Sequence, residues 1–180
     1  MRKPHNLVTY YWDDSKYFLA KAEIDHADLS FPIKDKRGIR YCILASFLFL
    51  EAFINAEYVD QMKFGNELNN LSDLQQKNLD DVIINTNFID KWSLWINYII
   101  GEKQNLKGGR EYQDLNKLRG WRNQLTHYKI HKFMEVAHNL ETIENAREAN
   151  RIVGQTIKWY YQITNLKPAD WIQNEILNSN

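Results

Sequence analysis

Arg122, Asn123 and His127 fall within one string of six residues, Arg122-Asn123-Gln124-Leu125-Thr126-His127. The trio offers a permanent cation, an amide and a titratable imidazole. An arginine fork can hold two oxygens of one phosphate and stabilise charge that grows there in a transition state. An imidazole exchanges its proton near neutral pH, so it can serve as general acid or base. The chemistry that suits such a set is proton transfer beside a phosphodiester. In RNA, the 2′-OH can attack its own phosphate when a base takes its proton and an acid protonates the departing 5′ oxygen. On a helix, Asn123 and His127 are four apart and share a face. Arg122 sits about 100° away and reaches round on its long side chain.

The bare spacing says little. Eight arginines and five histidines in 180 residues give about 0.7 chance matches to Arg followed four to six residues later by His. Demanding Asn directly after Arg, at one fixed spacing, lowers the expectation to about 0.02, given 19 asparagines. The surroundings add weight. Between Lys103 and Lys132 stand eight basic residues against only Glu111 and Asp114, a local excess of six in a chain whose net charge is zero. Such a stretch reads either as a solvated helix face or as a phosphate-facing patch. Within it, Arg119, Tyr128 and Lys129 are candidate RNA contacts. Arg119 lies one turn before the trio, and Tyr128 could stack a base. A plain surface arginine and a core or rim aromatic are the competing readings.

A second polar pair lies upstream. Glu51 and Asn55 are four apart on a long apolar stretch, where polar groups need partners. The expectation is that Glu51 faces the motif helix and pairs with Arg122 or His127. It is then either an orienting carboxylate for catalysis or half of a structural ion pair, and the spacing leaves both open.

These residues need helices to position them. The chain has only 7 glycines and 3 prolines, with 44% hydrophobic residues. That composition disfavours many short strands and favours long helices in one domain spanning 1–180, with a core at about 35–166. Residues 1–11 read as an irregular arm and 26–36 as a connector. Helices are expected at about 13–25, 35–62, 71–84, 88–100, 111–128 and 140–165, with a short one from Pro168 to about Leu177. Asp13, Asp14 and Ser15 are N-cap candidates for the first. Gly101 sits where a helix-terminating glycine belongs. Residues 129–139 are ambiguous between helix and loop. Gly120, inside the motif helix, suggests close packing at that point.

No apolar run approaches a membrane span, and the start lacks a signal-peptide core. Cys42 is the only cysteine. It falls in an apolar segment and is expected to pack as a small hydrophobe, which suits a reducing cytoplasm. No cofactor motif is present, and Gly108-Gly109 lacks the surroundings of a phosphate-binding loop.

Three segments together carry a resemblance. They are Leu50-Glu51-Ala52-Phe53-Ile54-Asn55, Ile89-Asp90-Lys91-Trp92, and Leu118-Arg119-Gly120-Trp121-Arg122-Asn123 with Leu125-Thr126-His127-Tyr128. Over roughly residues 40–130 the chain resembles the HEPN superfamily of all-helical domains, many of which are RNases with an Arg-x(4–6)-His motif. The resemblance implies an all-α, up-and-down antiparallel helical bundle with flanking helices. It implies metal-independent endoribonuclease activity that leaves a 2′,3′-cyclic phosphate, with Arg122, Asn123 and His127 as catalytic residues and no cofactor. It also implies a homodimer in which two motifs share one cleft, since one histidine per chain then becomes two per site. A toxin or defence effector controlled by a cognate antitoxin or neighbouring protein fits that picture. A non-catalytic HEPN-like module that binds RNA, a nucleotide or a protein through the same cleft is the alternative. So is a plain interaction scaffold in which Arg122 pairs with Glu51.

Two rival chemistries are weaker. His127, His131 and Glu135 have the spacing to bind zinc on one continuous helix, but lysines flank them and no cysteine is near. Trp92, Trp95, Tyr98, Trp159, Tyr160 and Tyr161 could form a base-stacking platform, although their spacing favours core or dimer packing.

Overall fold

The computed structural model describes residues 6–28, 36–64, 85–101, 105–127 and 132–178. Among them the regular structure is entirely helical, and the helices pack as an all-α bundle. The helices are α1 (Leu7–Ala27), α2 (Arg37–Phe64), α3 (Phe88–Ile100), α4 (Arg110–His127), α5 (Phe133–Asn139), α6 (Ile143–Thr164) and the short α7 (Asp170–Ile172). A single 3₁₀ turn at Leu106–Gly108 leads into α4, and α7 runs on as a π-helical segment at Gln173–Leu177. The expected helix at 71–84 lies outside the described residues.

α2 is the central element. Cys42, Ile43, Phe47, Phe49, Leu50, Phe53 and Ile54 along it are all buried. A helix apolar over so much of its circumference must be covered on several sides, and α1, α4 and α6 pack against it. By length and composition, Arg37–Asp60 is apolar enough to cross a bilayer. A count of uninterrupted apolar runs in the sequence does not register this, because Arg40, Glu51 and Glu57 break the run. Cys42 is fully buried, and its S–H donates to the Ala146 carbonyl at 3.5 Å. Burial pushes its thiol up to about 12.

α1 lies along α2, with Trp12 on Phe49 at 5.6 Å and Phe18 on Tyr41 at 5.1 Å. The two backbones come close where Ala22 meets Gly38. A Cβ on Gly38 would stand 3.0 Å from the Ala22 nitrogen, so a glycine is what allows the approach. The start of α1 corrects the sequence reading. It begins at Leu7, not near Asp13, because Asn6 and Thr9 form a reciprocal capping box. Asp13 and Asp14 are exposed mid-helix, and Ser15 is buried with its hydroxyl donating to the Trp12 carbonyl.

Other boundaries follow from their caps. Asn87 accepts from the Ile89 and Asp90 amides and starts α3, and Gly101 ends it at φ 70° as expected. Thr142 caps α6 through the Asn145 amide, and Asn165 closes it in the left-handed region at φ 54°. α6 therefore starts slightly later than the sequence suggests, and part of the ambiguous segment before it is the separate helix α5. Pro168 precedes α7 rather than standing in its first turn. An ion pair ties the start of α2 to the α5–α6 connection. Arg40 donates Nε and Nη2 to Oε1 of Glu141 at 2.8 and 2.5 Å, and Glu141 is only 5% exposed. Nearby, the Lys36 ammonium donates to the Ala137 carbonyl.

Candidate active site

α4 carries the Arg-Asn…His trio. Tyr112, Leu115, Leu118 and Leu125 are its buried side and anchor it on the bundle. Lys117 fastens the outer side to α6 through Glu148 at 3.0 Å. Glu148 also takes Arg151, and these two cations, Arg151 first, hold its carboxyl down at about 2.

Arg122 falls within the core-facing stripe of α4, between Leu118 and Leu125, and Asn123 and His127 lie beside it toward the accessible side. Arg122 is half-buried, while Asn123 and His127 are exposed. Arg122 Nη1 donates to Asn123 Oδ1 at 3.0 Å, and its guanidinium carbon lies 5.3 Å from the centre of the Phe47 ring. The buried Phe47 packs in turn on Phe88 at 4.7 Å. An aromatic face and an amide thus hold the guanidinium, and neither neutralises it. Thr126 donates to the Arg122 carbonyl at 2.9 Å, inside the same turn.

Glu51 does not behave as expected. Among the described residues no hydrogen bond or ion pair joins it to Arg122 or His127. Arg122 is turned onto Phe47 and Asn123 instead. Phe47, Glu51 and Asn55 are spaced at four-residue steps on α2 and form one stripe. The ends of the stripe meet the neighbouring helices, since Arg122 of α4 covers Phe47 and Lys91 of α3 donates to Asn55 Oδ1 at 3.1 Å. Half-buried Glu51 lies between these contacts. Asn55 therefore serves α3, not the motif helix.

The basic excess is partly cancelled. Lys107 is 3.4 Å from Asp90, and Lys117 is bound to Glu148. Arg119 and Arg122, one turn apart on α4, have no carboxylate partner among the described residues. Tyr128 and Lys129 lie outside the described residues, as does His131 of the zinc reading. Among those described, no three His, Cys, Asp or Glu side chains are placed to hold a metal ion. Gly120 corrects a further expectation. Among the described residues, a Cβ there would meet nothing within 4 Å, so it is not packed closely against any of them.

Four of the six aromatics are core, while Tyr98 and Trp159 are half-buried against it. Trp92, Trp95 and Tyr160 are fully buried and Tyr161 nearly so, which removes them as a platform for bases. They also enclose a carboxylate that the sequence reading did not single out. Tyr160 donates to Glu57 Oε2 at 3.1 Å, and Tyr161 donates to Oε1 at 2.9 Å. Trp95 Nε1 donates to the Tyr160 oxygen at 3.2 Å. Burial pushes the Glu57 carboxyl up to about 7 against the opposing pull of the two hydroxyls. An acidic residue in an apolar helix was the available signal, but its partners are a hundred residues away in the chain.

No family model, no curated protein and no solved structure matches this chain.

Proposed function

We propose that the chain is a metal-independent endoribonuclease of HEPN type, with its site around Arg122, Asn123 and His127 of α4. The observation that supports this most is the state of Arg122. It is partly exposed, held in place by Asn123 and Phe47, and matched to no carboxylate among the described residues. A fixed and unneutralised guanidinium is suited to a phosphate. Arg119, one turn away, supplies a second cation for the backbone.

In this reading the 2′-oxygen bonds to phosphorus as the bond to the 5′-oxygen breaks. One proton leaves the 2′-hydroxyl and one reaches the 5′-oxygen, giving a 2′,3′-cyclic phosphate and a 5′-hydroxyl. Arg122 bears on the non-bridging oxygens, where charge grows. His127 moves one proton. The second proton transfer calls for a further group, and a second copy of the chain would bring it as another His127. The pair would then be a homodimer with a composite site. Toxin or defence activity, an antitoxin partner and a cytoplasmic location belong to the same proposal.

Binding without cleavage is the second reading. It is favoured by the lack of any hydrogen-bond partner that fixes the His127 ring among the described residues. The two separate on labelled RNA in EDTA, with wild type beside His127→Ala. Cleavage by wild type alone supports the nuclease. Retention of intact RNA on a filter supports the binding module, and equal cleavage by both proteins removes His127 from the mechanism.

A further inference from the structure

Far from the motif helix, the start of α1, the second half of α2 and α7 enclose a cavity of about 370 Å³. That lies within the range of pockets that hold small ligands. Its apolar walls include Val8, Phe53, Trp171 and Ile172, and its charged lining is Glu57, Asp60 and Asp170. Among the described residues, none from α4 lines it, and neither does any lysine or arginine. The formal charges that the described lining brings to the space are therefore of one sign.

One of these carboxylates is held in a fixed position. Tyr160 and Tyr161 each donate to a different oxygen of Glu57, so the group cannot rotate freely. A carboxylate offers about four acceptor positions, and the two tyrosines use one on each oxygen. Each oxygen keeps capacity toward the cavity. The Tyr160 hydroxyl takes its own hydrogen bond from Trp95, which locks the arrangement to the core. Asp60 and Asp170, by contrast, are both exposed, so Glu57 is the inner carboxylate of the three.

We infer that this cavity is a binding site for a small organic cation, an amine or guanidine on an apolar or aromatic body. The ammonium would lie against Glu57, with Asp60 and Asp170 at the entrance, and the body would lie against Phe53 and Trp171. Aromatic faces add to the attraction for a cation held this way. A carboxylate in a partly desolvated pocket discriminates strongly between a charged amine and a neutral analogue of the same shape, because only the amine compensates it. The site is independent of the RNA reading, and its test involves no nucleic acid.

The test is a titration of the full chain with 2-phenylethylamine and, separately, with 2-phenylethanol. Affinity is followed by calorimetry and location by the indole resonance of Trp171. The expected result is binding of the amine about tenfold or more tighter than the alcohol, with the Trp171 signal moving. Glu57→Gln should weaken the amine about tenfold while leaving the alcohol unchanged, and Asp170→Asn should weaken it less. Asp170 is exposed, so its variant keeps the test informative should Glu57→Gln fold poorly. No binding of the amine, amine binding no tighter than the alcohol, or a Trp171 signal that stays fixed at saturation each overturns the inference.

Discussion

Arg122 donates to its neighbour Asn123 at 3.0 Å while its guanidinium covers Phe47. Sequence neighbours on a helix point about 100° apart, so the contact exists only because the arginine bends back along the surface. The result is a cation anchored at two points and still open on one side. A lysine keeps the charge but lacks the planar fork and the stacking surface. Arg122→Lys should therefore lower RNA cleavage by roughly tenfold to a hundredfold with little change in thermal stability. Initial rates with a labelled oligonucleotide, beside a melting curve, check both halves.

The buried Glu57 carboxyl gives a pH signature in stability. It is raised from its ordinary 4.5 to about 7, mainly by burial. The folded chain then holds this proton more tightly than the unfolded chain. Its contribution is complete below pH 4.5 and is lost as pH rises through about 7. Tyr160 and Tyr161 face the carboxyl from α6, Asp60 lies one turn along α2, and Asp170 lines the same cavity. The loss amounts to at most about 3 kcal/mol. Chemical denaturation at intervals between pH 4.5 and 8 should show the decline, and Glu57→Gln should flatten it.

Gly120 is in the interior of α4, and no described residue lies within 4 Å of where a Cβ would go. Glycine costs helix stability through backbone entropy, and the lack of a close described neighbour removes the usual penalty for replacing it. Gly120→Ala should stabilise the fold by about 0.5–1 kcal/mol. Gly38→Ala should do the opposite, since its Cβ would press on the Ala22 backbone at 3.0 Å. Urea midpoints of the two variants distinguish these signs.

Glu141 is almost fully buried and depends on Arg40. Removing one partner of a buried pair leaves an uncompensated charge. Arg40 is itself about a third exposed, so Arg40→Ala should cost about 1–3 kcal/mol, read as a lower denaturation midpoint. A double change, Arg40→Met with Glu141→Leu, should recover much of the loss.

The helices were legible where local signals and burial agree. Phe88–Ile100 carries its own Asn87 cap, its apolar period and its terminal Gly101, so its limits can be read directly. The motif helix is similar, because Leu115, Leu118 and Leu125 mark its buried side. The start of α1 is not legible in the sequence, because its cap depends on Asn6 with Thr9, while Asp13 and Asp14, acidic cap types, fall inside the helix. The partners of Glu51 and Asn55 were not legible. Spacing places both on one stripe, but the choice of Lys91 for Asn55 and Phe47 for Arg122 follows from how three helices cross. The setting of Glu57 is hidden from the sequence for the same reason, since its tyrosines belong to α6.

The most direct measurement is the rate of RNA cleavage in EDTA by wild type and by His127→Ala, prepared in parallel and shown to melt alike. His127 is exposed, so its replacement should leave the fold intact. The expected result is a fall of about a hundredfold or more, with wild-type products ending in a 2′,3′-cyclic phosphate. Equal rates for the two proteins, or products ending in a 3′-hydroxyl, would contradict the proposed role of the Arg122-Asn123…His127 site.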